Sequence, residues 1–101
     1  MPRYRVEFSP AATAHVERIH DWWRANRPKA PGLFRRELTV ALRHLRRSPH
    51  LAPAYEGPEV PATRRLLMPR TRYHVYFAID DTAAVVRVYA VWHASRGQAP
   101  R

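Results

Sequence analysis

Apolar and polar residues alternate at the start of the chain, over residues 3–8. The apolar side chains of this segment fall on one face, as Tyr4, Val6 and Phe8, and charged side chains fall on the other. Alternation of period two is typical of a strand with one buried face, so the segment is predicted to form the first β-strand. Ser9 and Pro10 follow it, and these residue types favour the beginning of a helix.

The next forty residues carry apolar positions at helical spacing. A first helix is predicted from about Ala11 to Arg27, with an apolar stripe of Ala12, Val16, Ile19 and Trp23. Pro28 ends this helix, and a second one is predicted from about Pro31 to Arg47. Its apolar stripe consists of Phe34, Leu38, Ala41, Leu42 and Leu45. The connector between the two is short, which predicts an antiparallel helical hairpin.

The rest of the chain has the pattern of a loop followed by strands. Residues 48–61 contain prolines at 49, 53, 58 and 61, so we expect a loop with no helix or strand of its own. Strands are predicted at 63–68, 72–79 and 84–92, with Asp80 and Asp81 favouring a turn between the last two. Strict alternation in the last strand places Val86, Val88, Ala90 and Trp92 on one face and Val85, Arg87, Tyr89 and Val91 on the other.

The predicted fold is therefore α+β in the order β-α-α-β-β-β. A four-stranded antiparallel sheet packs against the N-terminal helical hairpin, and its other face is left for a ligand. The chain has 101 residues, which suits a single domain over 1–96 with a short flexible tail at 97–101. It contains no cysteine, no long apolar run and no apolar segment of a signal peptide, so we expect a cytoplasmic protein.

Positive charge is the strongest feature of the composition. Lys and Arg number 18 against 8 Asp and Glu, for a formal net charge of +10, and Lys29 is the only lysine. Arginine binds phosphate and carboxylate groups through a planar pair of donors, so this balance favours nucleic acid or an acidic protein as a partner. A genome rich in G and C gives the same arginine bias without any function, and both interpretations remain open.

Several polar and aromatic residues are candidates for chemistry or contact. Cleavage of RNA needs a base, cations for the phosphate charge and an acid for the leaving oxygen. Arg64 and Arg65 can clamp phosphate, His93 can act as acid or base, and Glu56 or Glu59 can act as base. His15 and His20 are expected at the surface, and no metal or organic cofactor is expected. Adjacent Trp22 and Trp23 cannot both face the core, so we expect one to meet a partner.

Three segments of the chain resemble the RelE/ParE toxin superfamily of type II toxin–antitoxin systems. RVEFSPAA resembles the first strand and helix start of that family, RRLLMPRTRYHVYFAID its arginine-led strand and the strand that follows, and VVRVYAVWHASR its closing strand with His and Arg. The resemblance covers nearly the whole chain. It implies a small basic toxin, bound and neutralised by a cognate antitoxin in a hetero-oligomer.

The superfamily implies two alternative targets. RelE-like members cut mRNA on the ribosome, and for that activity Glu59, Arg64, Arg65 and His93 are the residues that match. ParE-like members inhibit DNA gyrase without a reaction of their own. The lysines of the cutting site have no counterpart here, and Tyr73 stands where cutting members carry Arg. We therefore favour the ParE-like branch.

On the ParE-like interpretation the target contact is assigned to basic and aromatic residues of the last three strands. They are Arg64, Arg65, Tyr73, Arg87, His93 and Arg96. The antitoxin is expected to cover the sheet and the helical hairpin, where Trp22 and Trp23 are the predicted partner-binding residues. A third possibility is a non-toxic basic binding module.

Overall fold

The computed structural model describes residues 3–55 and 63–96. Its elements follow the chain as β1 (Arg5–Phe8), α1 (Pro10–Asn26), α2 (Leu33–Arg47), a 3-10 turn (Pro49–Leu51), β2 (Thr63–Met68), β3 (Tyr73–Asp80), β4 (Val85–His93) and a second 3-10 turn (Ala94–Arg96). The predicted α+β class and element order are confirmed. The predicted tail at 97–101 lies outside the described residues, as do Glu56 and Glu59.

Local sequence accounts for where α1 begins and ends. The Ser9 hydroxyl accepts a hydrogen bond from the backbone N–H of Ala12 at 3.0 Å, and Pro10 occupies the first turn, where it has no hydrogen bond to lose. The helix ends at Asn26, ahead of the Pro28 that cannot continue it. Within the described residues, no helix is long and apolar enough to cross a membrane.

The strands lie in the order β1-β4-β3-β2. Antiparallel pairing joins β2 to β3 and β3 to β4, as a meander requires. β1, however, pairs with β4 in parallel, so the sheet is mixed and not wholly antiparallel as predicted. No tight turn links β1 to another strand, and the residue pattern of a strand does not encode its direction. The sequence therefore had no signal for this pairing.

A β-bulge in β4 changes which side chains reach the core. Phe77 pairs with Val88 and Tyr76 pairs with Ala90, so Tyr89 is an extra residue without a partner on β3. Beyond it the alternation is inverted: Val91 joins the core cluster, and Trp92 lies outside it. The prediction that Ala90 and Trp92 share a face with Val86 and Val88 was wrong for this reason.

The core lies between the helical hairpin and one face of the sheet. The apolar stripe of α2 meets the inward residues of β2, β3 and β4, and this cluster includes Phe34, Leu38, Leu45, Met68, Val75, Phe77, Val86, Val88 and Val91. Each such side chain contributes roughly 1.5–3 kcal/mol through burial, which makes this layer the main source of stability. The hairpin is thereby fixed to the sheet face on which it was predicted.

Residues on both sides of β2 are held by polar contacts. Glu37 of α2 accepts hydrogen bonds from the backbone N–H groups of Arg70 and Thr71 at 2.7 and 2.9 Å and from the Thr71 hydroxyl at 2.6 Å. These bonds fix the β2–β3 turn, where Arg72 has a φ of 68°. Before β2, Ala54 forms an antiparallel bridge with Arg64. The prediction of a featureless loop was therefore wrong for part of residues 48–55.

Candidate functional site

The end of β4 is bordered by helix α1 instead of by a strand. β4 has nine residues and β1 only four, so β1 ends beside Val88. Beyond that point the Ser9 hydroxyl donates to the carbonyl of Tyr89 at 3.4 Å, and the backbone N–H of Val91 donates to Nδ1 of His15 at 3.2 Å. Two side chains from the beginning of α1 thus replace the missing strand.

His15 is buried, with a relative exposure of 8%, so the prediction of a surface position was wrong. The sequence showed a histidine beside the apolar stripe of α1. It did not show that β1 is short, which leaves the backbone N–H of Val91 without a strand partner and in need of the His15 acceptor. Burial, and then the charge of Arg18, lowers the pKa of His15. Because Nδ1 accepts from Val91, the neutral ring carries its proton on Nε2.

A cleft of about 300 Å³ lies between α1 and this end of β4. It is lined by His15, Arg18, Ile19, Trp22, Tyr73, Val91, Trp92, His93 and Arg96. Tyr73, His93 and Arg96 were predicted as target-binding residues and Trp22 as a partner-binding one, so the structure brings these four together. We refer to this place as the α1–β4 cleft.

The walls of the α1–β4 cleft are aromatic and cationic. Arg96 lies over the ring of Trp92 at 4.2 Å from its centroid, and His15 lies 5.4 Å from the same ring. The indole N–H of Trp92 is buried and has no acceptor among residues 3–55 and 63–96. Trp92 was absent from the predicted site residues, and strict alternation had placed it on the same face as Val86 and Val88.

His93 is held in one orientation by the turn that follows β4. The backbone N–H of Ser95 donates to His93 Nδ1 at 3.1 Å, and the Ser95 hydroxyl lies 2.7 Å from the same nitrogen. The ring packs edge-on against Tyr73 at 4.9 Å. As in His15, an occupied Nδ1 leaves Nε2 to carry the proton of the neutral ring.

The two adjacent tryptophans of α1 divide as the helical geometry requires. Trp22 is 45% exposed, whereas Trp23 packs against the core cluster. The rings meet edge-on at 5.9 Å, and the guanidinium of Arg27 lies over both. The chain therefore offers Trp22, and not Trp23, as an aromatic surface for a partner.

The neighbouring arginines of β2 have different environments. The guanidinium of Arg64 donates to the backbone carbonyls of His50 at 3.0 Å and Ala52 at 2.7 Å, so it fixes the segment before β2. Arg65 lies on the opposite face, over the ring of Tyr55 at 4.5 Å. A shared role for Arg64 and Arg65 as a phosphate clamp has no support in this arrangement, because adjacent strand residues point to opposite faces.

Arg65 belongs to a second cluster on the sheet face away from the helices. His74 and Tyr76 lie there with Tyr55, and the rings of Tyr76 and Tyr55 are 5.4 Å apart. Burial lowers the pKa of His74, and the charges of Arg65, Arg72 and His93 lower it further. Sequence reasoning missed His74, although its position in the alternation of β3 placed it on this face.

Arg87 is the predicted target-binding residue most engaged by carboxylates. Its guanidinium donates to Asp80 at 3.1 Å and lies 3.8 Å from Glu7. By contrast, no ion pair within residues 3–55 and 63–96 involves Arg18 or Arg96 of the α1–β4 cleft. Arg87 is therefore the arginine of the predicted set whose charge is balanced by carboxylates within the described residues, and Arg96 keeps its charge at the end of β4.

A more apolar groove runs between α2 and the outer edge of β2. Its volume is about 440 Å³, and Val40, at its rim, is 48% exposed. β2 is an edge strand: residues 53–55 bond to its outer side at Thr63 and Arg65, and Leu66–Met68 have no partner on that side among the described residues. We refer to this place as the α2–β2 groove.

One family model matches nearly the whole chain. The family described as ParE toxin of type II toxin–antitoxin system, parDE, matches residues 6–97. No curated protein sequence matches the chain significantly.

Solved structures with the same fold include toxins in complexes with antitoxins. The chromosomal ParDE system of P. aeruginosa gives a TM-score of 0.71 at 15% identity, over 90% of this chain and 96% of that one. The RelBE2 complex of Mycobacterium tuberculosis gives 0.66 at 21% identity, over 94% and 95%. The intact E. coli RelBE complex gives 0.60 at 20% identity, over 90% and 96%. Identities this low establish the fold and leave the target open.

Proposed function

Since the chain belongs to the ParE toxin family of type II toxin–antitoxin systems, we propose that it stops growth by inhibiting DNA gyrase in the cytoplasm. The α1–β4 cleft, with His93 and Arg96, supplies the target contact. It needs no reaction of its own, because binding alone blocks the enzyme.

The main support for this proposal is that the residues suited to RNA cleavage do not converge at the cleft. His93 and Tyr73 are there, but Arg64 is bonded to backbone carbonyls and Arg65 lies over Tyr55. Among the described residues that line the cleft there is no carboxylate that would serve as a base, and the predicted bases Glu56 and Glu59 lie outside the described residues. Binding, which needs exposed charge and aromatic surface, suits this arrangement better than catalysis does.

Two assays on the purified chain test the proposal. We expect inhibition of gyrase supercoiling and no ribosome-dependent cleavage of mRNA. Arg96→Gln should weaken the inhibition by about tenfold, because a charge-assisted contact is worth about 1.5–3 kcal/mol. Arg43→Gln, which removes the same charge from the exposed side of α2, is the matched control. Full supercoiling in the presence of the wild-type chain would refute the proposal.

A cognate antitoxin is the second partner that we propose. The α2–β2 groove combines an apolar lining with the outer edge of Leu66–Met68, which has no partner among the described residues. This suits an antitoxin segment that adds a strand to that part of β2 and inserts apolar side chains. Trp22 supplies a further exposed aromatic contact. The net charge of +10 favours an acidic antitoxin, so the association rate should fall as salt is raised. Stopped-flow mixing with the antitoxin encoded beside the gene measures this rate.

One observation favours mRNA cleavage as a second candidate function. His74 has a lowered pKa and lies near the charge of Arg65, an arrangement suited to a base beside a phosphate-binding cation. If this cluster cuts RNA, His74→Ala abolishes cleavage on the ribosome, while His44→Ala on α2 leaves it unchanged.

A third alternative is a non-toxic binding module. It predicts normal growth when the chain is expressed alone, so inhibition of growth would exclude this alternative.

A further inference from the structure

The polar groups that line the α1–β4 cleft are mainly hydrogen-bond donors, and they lie among apolar residues such as Ile19 and Val91. Arg18 and Arg96 are permanent cations without ion pairs among the described residues. His15 and His93 each use Nδ1 as an acceptor for a backbone N–H, so each keeps a donor at Nε2. Within residues 3–55 and 63–96, no carboxylate or amide side chain lines the cleft. Such a set of groups matches a ligand that is anionic and rich in acceptors.

Flat apolar surface lies beside these donors. Trp22 lines the cleft and is 45% exposed, so part of its indole is open to a second ring beside its contacts with Arg27 and Trp23. Trp92 is already enclosed between Arg96 and His15 and holds the guanidinium of Arg96 in place at 4.2 Å. Stacking of a base on an aromatic side chain is worth about 1–3 kcal/mol. The cleft therefore places an anion site next to a stacking surface.

We propose that the α1–β4 cleft binds one nucleotide unit, a phosphate together with its adjoining base. The phosphate lies against Arg18 and Arg96, and the base stacks on Trp22. A cavity of about 300 Å³ is at the lower end of ligand-binding sites, which suits one unit. The unit is either a free nucleotide or one position in a nucleic acid strand.

This inference goes beyond the proposed function and is tested without gyrase or antitoxin. Isothermal titration of the full chain compares adenosine monophosphate, adenosine, inorganic phosphate and an adenosine trinucleotide that lacks terminal phosphates. We expect the monophosphate or the trinucleotide to bind at least tenfold more tightly than adenosine or phosphate. Preference for the monophosphate identifies a free nucleotide as the ligand, and preference for the trinucleotide identifies a strand.

Variants distinguish the cleft from general attraction to a basic protein. Arg96→Gln should weaken binding of the preferred probe about tenfold. Trp22→Ala should weaken it about fivefold or more through lost stacking. Arg43→Gln removes one charge far from the cleft and should change the affinity by less than twofold. The inference would be overturned if neither the monophosphate nor the trinucleotide binds more tightly than adenosine. It would also be overturned if Arg96→Gln and Arg43→Gln weaken binding of the preferred probe equally. Both outcomes hold whatever the supercoiling assay gives.

Discussion

Replacing His15 tests whether this side chain supports the end of β4. His15→Leu keeps an apolar side chain of similar reach but removes the acceptor for the backbone N–H of Val91. His15→Asn shortens the side chain but retains an oxygen near the position of Nδ1. The two variants therefore separate the hydrogen bond from the packing of the ring against Trp92.

The expected loss follows from the burial of Val91, which is 0% exposed. Its N–H cannot reach water when His15 no longer accepts, and a buried donor left without a partner costs about 1–3 kcal/mol. We expect His15→Leu to lower the free energy of unfolding by about 2 kcal/mol and the melting temperature by roughly 10 °C. His15→Asn should retain much of the hydrogen-bond contribution.

The pH dependence gives an independent readout of the same bond. The pKa of His15 is lowered by burial, so the folded state favours the neutral ring. Its contribution to stability is fully present above the unfolded pKa of about 6.5 and is lost as pH falls through the lower folded pKa. Both variants should remove this part of the slope, and the difference from wild type separates it from the contribution of His74, whose pKa is also lowered.

Urea denaturation followed by tryptophan fluorescence, repeated between pH 5 and 8, measures both effects. The reasoning is refuted if His15→Leu is as stable as wild type at pH 8. It is also refuted if both variants lose the same stability there, because the hydrogen bond would then contribute nothing beyond packing. An unchanged pH slope in His15→Asn would mean that His15 does not titrate in this range.

Further predictions concern Glu37, the two adjacent tryptophans of α1 and the two arginines of β2. Glu37→Ala should lower the free energy of unfolding by about 2–3 kcal/mol in urea denaturation. In wild type, burial raises the pKa of Glu37, but the hydrogen bonds from the β2–β3 turn outweigh burial and lower it. The stability that Glu37 contributes is therefore present above its unfolded pKa and is lost as pH falls through its folded pKa. Trp23→Ala should cost about 2–3 kcal/mol of stability, whereas Trp22→Ala should cost under about 1 kcal/mol and weaken antitoxin binding in a titration. Arg64→Gln should lower the melting temperature because it frees two carbonyls, and Arg65→Gln should leave it nearly unchanged.

Periodicity in the sequence was sufficient for most of the fold. The stripe of Phe34, Leu38 and Leu45 placed α2 on the sheet, and Ser9 with Pro10 marked the start of α1. The direction of β1 was not predictable, because parallel and antiparallel strands carry the same alternation. The side chain of Arg64 likewise gave no indication that distant carbonyls would bind it.

The candidate site was only partly visible in the sequence. Tyr73, His93 and Arg96 were identified by residue type and do meet at the α1–β4 cleft. His15 and Trp92 were missed for geometric reasons, since one depends on the short β1 and the other on the bulge in β4. Both depend on how strands end and pair, which residue types alone do not specify.

The extra residue at Tyr89 makes the length of β4 as important as its composition. Deleting Tyr89 alone would restore regular pairing along the strand and leave every later residue on its present face. Val91 would stay in the core, so the loss would be confined to the contacts of Tyr89 itself, including the hydrogen bond from the Ser9 hydroxyl to its carbonyl. A library of single-residue deletions should therefore show that β4 tolerates the loss of Tyr89 better than the loss of Val86 or Val88, whose removal turns neighbouring side chains to the opposite face.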